Sequence, residues 1–394
     1  MISVDEARAI IRANYRSFGE EEIPSENSTG RILAEPILAD RDFPAFDRSS
    51  MDGIVVRYKD WLKGTRTFQL IGEQLAGQEQ MDLSAADTCR EIMTGAIVSN
   101  GGDVVIRYED LTISSSTVIV PDIEIKQWSN VHKQGTDAHK GDELIPAGKP
   151  INIGDIGILA SVGKGKVKVK KTPRVAVIST GDELVGVDQT PLAYQLRSSN
   201  ASVIGQLLKQ ANIDHALFHF PDELESFRSE LPSIITDFDV ILLSGGVSKG
   251  KRDYVPEMML EQGIRMHFHG VQQRPGKPIW FGSNDEVIVF GFPGNPVSTL
   301  ACYQVYFKTW LAGSLNQEIP KKKARLTTYI HFKPDLTYFV PVRLMHEGNE
   351  LMASPLLGHG SGDLVHLSKA DGFIELPREP EEFKVGDIYP IIEF

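Results

Sequence analysis

Residues Phe290–Thr299 read FGFPGNPVST. They follow the apolar run Val287–Phe290 and precede Leu300–Leu311, which reads as a helix. Pro293 and Pro296 stiffen the turn, and Gly294 permits close backbone approach. Asn295 stands at a helix N-cap, with Pro296 at the first helical position. The first N–H groups of such a helix point out of the strand end, an arrangement that binds phosphate or another oxyanion. A merely stiff strand–helix connection explains the same residues. Two further strand tips bear on the choice. The run Val175–Ile178 ends in Ser179-Thr180-Gly181-Asp182-Glu183, and Val240–Leu243 ends in Ser244-Gly245-Gly246-Val247-Ser248. Ligands of open parallel sheets bind beyond the carboxyl ends of the strands. Three such tips on consecutive units predict an oxyanion or phosphate crevice.

Charged residues of both signs accompany these tips. Arg274-Pro275-Gly276-Lys277-Pro278 holds two cations around a rigid turn, which suits a small dianion. Solvated charges on an ordinary loop are the alternative. Glu183 and Asp253 offer hard oxygen ligands to a divalent cation; complementing a helix N-terminus explains them equally simply. Asp52 in Asp47–Gly53 (DRSSMDG) and Thr94 in Glu91–Ala96 (EIMTGA) each precede a glycine, and turn chemistry alone accounts for both. Asp137, in the loop GTDAHKGDELIPAG, reads as a solvated carboxylate. His215 and His219 have metal-ligand spacing for a helix, but Ala216–Phe220 looks like a strand and no HExxH glutamate is present. His267 and His269 share a strand face at best. No zinc site is expected. No Ser–His–Asp order, dinucleotide fingerprint or P-loop is found.

The elements that position these residues follow from periodicity. Ser3-Val4-Asp5-Glu6 is a capping box leading into helical spacing at Val4, Ala7, Ile10 and Ile11. Residues 23–151 are rich in Gly, Pro and short β-type runs such as Ile54–Tyr58, Thr67–Ile71 and Thr117–Val120. Lys164–Lys171 alternates lysine with small or apolar residues, as a solvated edge strand or linker does. From Arg174 buried-type strands alternate with helices at Asn200–Gln210 and Asp253–Gln262, which predicts a mainly parallel sheet covered on both faces. Lys321–Phe394 shows short apolar runs broken by Gly and Pro, a small β-domain or barrel, with Lys321–Lys323 read as a linker.

A chain of 394 residues exceeds one ordinary core, so two to four domains are expected. The formal charge of −12 argues against a nucleic-acid or membrane-surface binder. Any anionic ligand must be drawn by local cations and N–H groups. Cys89 and Cys302 form no disulfide framework and no metal pair, which fits a reducing, cytoplasmic setting. Asp5, Glu6 and Arg8 interrupt the N-terminal apolar residues, so no signal peptide is read, and no run is long enough to span a bilayer.

The motifs MDG, IMTGA, TGDEL, SGGVSKGKRDY, RPGKP and FPGNPVS, in this order, resemble the molybdopterin molybdenumtransferases, the MoeA-like proteins and the gephyrin E domain. The resemblance covers essentially the whole chain. It implies a multidomain α/β plus β fold: a three-layer α/β domain with a mainly parallel sheet, an elongated β-rich N-terminal region, and a C-terminal β-barrel-like domain. The implied division is residues 1–20, 41–50 and 142–171 as a linker and dimerisation domain, 21–40 and 51–141 as an inserted β-rich domain, 172–320 as the α/β domain, and 321–394 as the barrel. The implied activity is Mg²⁺-dependent insertion of molybdate, or tungstate, into adenylylated molybdopterin with release of AMP. The resemblance also implies a homodimer whose cleft lies between subunits, with a MogA/MoaB-type adenylyltransferase and molybdoenzyme apoproteins as partners. It assigns catalytic roles to Asp52, Thr94, Asp137, Glu183, Asp222, Asp253 and Lys277, with Glu183 and Asp253 at the metal. It places Ser244, Gly245, Gly246, Ser248, Arg274, Lys277, Pro293, Gly294, Asn295, Pro296 and Ser298 at the substrate, joined by Arg343 from VPVRL and Ser361 from HGSG. Leu196-Arg197 stands where relatives often carry an acidic residue before Ser-Asn, and Lys249, Lys251 and Arg252 make the SGGVS loop unusually basic. Two other readings fit related motifs: a CinA-like nucleotide pyrophosphate hydrolase, and a non-catalytic molybdopterin-binding paralogue or scaffold.

Overall fold

The computed structural model describes residues 1–222, 224–247 and 255–394; Ser248, Lys249, Lys251, Arg252 and Asp253 therefore lie outside the described residues. Two compact units are present. One comprises Met1–Glu21, Gly30–Ile32 and Val169–Phe394, the other Glu22–Thr29 and Leu33–Lys168.

The first unit is built around a six-stranded sheet. Its order is His215–Phe220, Val175–Thr180, Val240–Ser244, Ile288–Phe292, Trp280–Ser283, Arg265–His269. The first four run parallel, and Trp280–Ser283 is antiparallel to both of its neighbours. Side chains alternate across the sheet with the period of a strand. Val175, Val177, Val240, Leu242 and Phe290 face a core shared with Ala201, Ile204 and Leu208 of the helix Ser199–Gln210. Ala176, Ile178, Ile241, Leu243 and Val289 face the opposite core, shared with Phe227, Leu231, Ile234 and Ile235. These last four lie on the helix Leu224–Asp237. The three-layer α/β domain expected from the sequence is thus present. Burial on this scale stabilises by ~1.5–3 kcal/mol per large apolar side chain, which is why both faces must be covered.

The chain passes from Val175–Thr180 to one neighbour, His215–Phe220, then returns across to the other, Val240–Ser244. The order reverses there, at the place where such sheets leave a crevice. At the N-terminus Ser3 caps the helix Val4–Arg12 in a complete capping box with Glu6, and Val4, Ala7 and Ile11 pack into the first core.

Five strands of the C-terminal part close on themselves: Thr337–Glu347, Glu350–Pro355, Lys322–Leu326, Ile388–Glu393, Gly372–Leu376, and back to Thr337–Glu347. Closure removes every exposed edge. Leu326, Val340, Val342, Ile374 and Leu376 fill the interior. One expectation is corrected here. Lys322 and Lys323 are not linker but the first residues of a barrel strand, paired with Ile391 and Pro390. Gln273–Arg274 adds to the same sheet in parallel with Thr337–Tyr338.

The second unit carries another six-stranded sheet, ordered Val104–Arg107, Gly53–Val56, Thr88–Ile92, Thr67–Gln74, Thr117–Ile119, Thr112–Ser114. Ile54, Val56, Phe68, Val104 and Val118 form its core beside Trp61. Among the described residues, no helix is long and apolar enough to cross a membrane.

Candidate active site

The three strand tips end level. Ser179 is the register partner of Ser244, and Ser244 of Phe292. Asn200 binds two of the tips together: its Nδ2 donates to Ser244 Oγ at 2.8 Å and to Gly294 O at 2.7 Å. Gly245 has φ +103°, and a Cβ there would come within 3.0 Å of Thr180 Oγ1. The loop after Val240–Ser244 therefore needs glycine to lie against the neighbouring tip. Gly245 N–H donates to Phe292 O at 3.1 Å, closing the third side.

Asn295 stands at the N-cap position with Pro296 at the helix start, as its sequence implied, but its side chain does not cap. Instead Nδ2 donates to Ser361 Oγ at 2.8 Å. The backbone of Ser361 accepts from Val297 N–H at 3.0 Å. One of the helix N–H groups expected to face a ligand is thus engaged by the HGSG loop. The result fastens Ser361, 66 residues away in sequence, to the PGNP turn.

A cavity of about 600 Å³ opens beside this turn, and Arg274, Lys277, Pro293, Gly294, Ser298 and Ser361 are among its lining residues. Arg274 and Lys277 are both exposed. Neither forms an ion pair among the described residues. The Arg274 guanidinium lies 5.7 Å from the Tyr338 ring and 5.8 Å from that of Phe332, and the two rings stack on each other. Aromatic faces orient a guanidinium without consuming its charge. Ser298 is buried in the first turn of the helix that begins at Pro296. Two cations without carboxylate partners among the described residues, set with hydroxyls in a concave site, are an arrangement that suits an anion.

The turn carrying both cations is clamped from beneath. Gln273, fully buried, donates from Nε2 to Pro275 O at 2.8 Å and accepts a short hydrogen bond from Tyr306 Oη. Cys302 Sγ reaches Gly276 O at 3.7 Å, and a side chain at Gly276 (φ +89°) would strike that sulfur. Val271 N–H closes the turn onto Lys277 O at 2.9 Å. Burial pushes the Cys302 thiol and the Tyr306 hydroxyl up, so both stay neutral. Gln273, Tyr306 and Cys302 were not singled out in the sequence. Their polar or polarisable types at buried positions were the available signal.

Glu183 is exposed just beyond the tip of Val175–Thr180, and its carboxylate has no hydrogen bond or ion pair among the described residues. Asp222 lies at the same edge, its N–H donating to Asp182 Oδ1 at 3.0 Å. These are oxygen donors only, the set that suits a magnesium-type ion. Arg343 is exposed on Thr337–Glu347 and is not among the residues lining the cavity. The histidines read as unsuited to metal make hydrogen bonds within the fold: His215 to Ile213 O, His219 to Ser179, His267 to Ser283 and His269 to Val247 O.

In the second unit, Thr94 donates to Asp52 Oδ1 from both its N–H (2.6 Å) and its hydroxyl (2.8 Å). Asp137 Oδ1 meets His132 Nε2 at 3.0 Å, and His132 Nδ1 meets Arg48 at 3.3 Å. A cavity of about 370 Å³ in this unit is lined by Arg41, Arg48, Gly95 and Asp137 among others. The IMTGA glycine and Asp137 therefore share one pocket.

Comparison with known proteins agrees along the whole chain. Residues 2–163 match the MoeA N-terminal region (domain I and II), 176–313 the probable molybdopterin binding domain, and 323–394 the MoeA C-terminal region (domain IV). A molybdopterin molybdenumtransferase of Synechocystis sp. is 38% identical over 99% of both chains. One of Bacillus subtilis is 30% identical over 98% of this chain and 92% of its own. The crystal structure of a molybdopterin biosynthesis MoeA protein from Pyrococcus horikosii superposes with a TM-score of 0.83 at 29% identity, covering 100% of this chain and 99% of that one. The level strand tips and the paired cations at the RPGKP turn thus sit in a chain that belongs to the MoeA family of molybdopterin molybdenumtransferases.

Proposed function

We propose that this enzyme of molybdenum cofactor biosynthesis transfers molybdate into adenylylated molybdopterin and releases AMP. The observation that carries the reading is the cavity in which Arg274 and Lys277, lacking carboxylate partners among the described residues, face Ser298 and Ser361. Molybdate is small, doubly charged and strongly hydrated. Exchanging its water for two fixed cations and hydroxyls favours it because the charges are held in place by the clamped turn rather than reorganised on binding. Gly245 and Gly246, which as glycines pack closely against Thr180 and Val255, lie at the switch point, along which the pterin nucleotide would bind. Asn200 keeps the SGG and PGNP tips at fixed separation, so nucleotide and oxyanion are held in one relative orientation.

Glu183 and Asp253 would hold Mg²⁺, with Asp222 in the catalytic role the resemblance implies. That ion supplies charge neutralisation at the phosphates and polarisation of the phosphoanhydride. Asp52 and Thr94 would complete the site as a preorganised carboxylate, contributed by the partner subunit of a homodimer in the cytoplasm. Asp137, Pro293 and Pro296 would keep the roles the family resemblance implies, whereas Arg343, which does not line the cavity, is not assigned to the oxyanion.

The deciding experiment incubates the protein with adenylylated molybdopterin, Mg²⁺ and either molybdate or tungstate, and measures AMP and metallated pterin together. Equal amounts of both products support the reading. AMP without metallated pterin would instead mark a nucleotide pyrophosphate hydrolase, and neither product a binding scaffold.

A further inference from the structure

We propose that His359, Asp363 and His366 form a zinc site at the wall of the cavity, separate from the oxygen donors at Glu183. The His Nδ1/Nε2 and carboxylate oxygen atoms that these three residues offer lie within 4.8 Å of one another. His359 Nδ1 is 3.3 Å and His366 Nδ1 2.6 Å from the same atom, Asp363 Oδ2. Both imidazoles therefore turn the same ring nitrogen toward one carboxylate oxygen.

A hydrogen bond at 3.3 Å accounts for the approach of His359 Nδ1 to Oδ2, but none accounts for that of His366 Nδ1. Oδ2 already accepts the His359 N–H at 2.9 Å, and Oδ1 accepts the His366 N–H at 3.0 Å. Among the described residues, His366 Nδ1 is buried and has no hydrogen-bond partner in spite of its closeness to Oδ2. A cation accepting the lone pairs of both nitrogens and of Oδ2 satisfies all three once His366 Nδ1 and Oδ2 part from 2.6 Å to the roughly 3.3 Å that two tetrahedral zinc ligands need. Two imidazoles and one carboxylate are borderline donors, which select zinc over magnesium or calcium. Three protein ligands leave a fourth tetrahedral position. Asp363 and His366 line the cavity, so an oxygen ligand held there can occupy that position.

The backbone supports the arrangement before any metal binds. Asp363 caps the short helix Leu364–Leu367 through the backbone N–H of His366. This bond fixes the carboxylate while leaving both imidazoles free to be substituted. His359→Ala and His366→Ala therefore keep the cap and are suitable test variants.

The test uses the full chain after treatment with chelator, in a buffer containing excess Mg²⁺ so that hard-oxygen sites are filled. Zn²⁺ alone is titrated calorimetrically, and Co²⁺ is substituted to read coordination from its visible absorption. The wild type should bind one equivalent of Zn²⁺ and show the intense bands of tetrahedral Co²⁺. Each single substitution should weaken binding by at least the ~10–100-fold typical for loss of even an outer-shell partner. A wild type that binds no more tightly than the double variant His359→Ala/His366→Ala, or a Co²⁺ spectrum unchanged between them, would overturn the proposal. Because no pterin or molybdate is used, its failure leaves the proposed transferase reaction untouched.

Discussion

Asp52 Oδ1 accepts two hydrogen bonds from one residue, Thr94, which lies 42 positions later in the chain. The Thr94 backbone N–H, then its hydroxyl, hold the carboxyl below its ordinary value of 3.8. The sign follows: what the pair contributes is present above that ordinary value and is lost as pH falls through the lowered folded-state value. Thr94→Ala removes the hydroxyl but keeps the stronger backbone bond. The Asp52 carboxyl, followed by carbon NMR, should then titrate higher than in the wild type but still below 3.8. An unchanged titration would show that the hydroxyl does not hold the charge.

If the partner subunit supplies that carboxylate, Asp52→Ala and Lys277→Ala should each be inactive as homodimers. A heterodimer of the two should recover about half the sites, because one cleft carries both lesions and the other neither. Differently tagged chains, co-purified and assayed for metal insertion, give the measurement. Zero activity in a verified heterodimer without subunit exchange would place both residues in one subunit's cleft.

Lys277 shares its turn with two prolines and is paired with no carboxylate among the described residues. Lys277→Ala should cost ~10²–10³-fold in insertion rate, the scale for losing one preorganised electrostatic contact. The variant should remain folded, since the clamp beneath the turn is untouched. Circular dichroism and the insertion assay on one preparation check both halves. A rate near wild type would return the lysine to the status of a solvated charge.

Glu183→Gln keeps size and hydrogen-bonding capacity but removes the charge a hard cation needs. It should raise the Mg²⁺ concentration for half-maximal AMP release, and change binding of the pterin nucleotide much less. A Mg²⁺ titration superposable on the wild type would make complementation of local backbone dipoles the better account.

Tyr306→Phe strips the buried Gln273 Oε1 of its donor. Leaving such a group unpaired costs ~1–3 kcal/mol. The substitution should lower the melting temperature, and it should also raise the molybdate KM more than it lowers kcat, because the turn carrying Arg274 and Lys277 loosens. Tyr303→Phe is the control, since this neighbouring tyrosine is buried but not bonded to Gln273. Equal effects on KM from both would reduce the clamp to a packing role.

Much of the site was legible because it is local. STGDE, SGG, RPGKP and PGNP each join a strand to a turn within a few residues, and continuous apolar runs such as Val175–Ile178 and Val240–Leu243 mark where the strands end. What was not legible is what depends on distance. Asp52 and Thr94 each looked like turn residues because neither sequence neighbourhood contains the other. Asp137 read as solvated and is exposed; what the sequence did not show is that His132 holds it while Arg48, from another segment, holds His132. The helix Leu224–Asp237 was not anticipated, although Phe227, Leu231, Ile234 and Ile235 have helical spacing. Pro232 within it masks the pattern, because proline normally ends a helix. Lys322 and Lys323 looked like linker because two charges outweigh one alanine; their pairing with Ile391 and Pro390 is set by barrel closure.

The parallel pairing of Gln273–Arg274 with Thr337–Tyr338 joins the RPGKP turn to the barrel by backbone, with Thr337 N–H donating to Gln272 O at 3.0 Å. The barrel is thus latched to the α/β layer by main-chain bonds as well as by the covalent crossing at Lys321. Swinging it outward would break that latch and part Arg274 from the Tyr338 and Phe332 rings. Slow amide exchange at Thr337, matching the slowest barrel amides, would identify the two as one cooperative folding block. Substrate would then enter a preformed mouth, with no hinge opening required of the barrel.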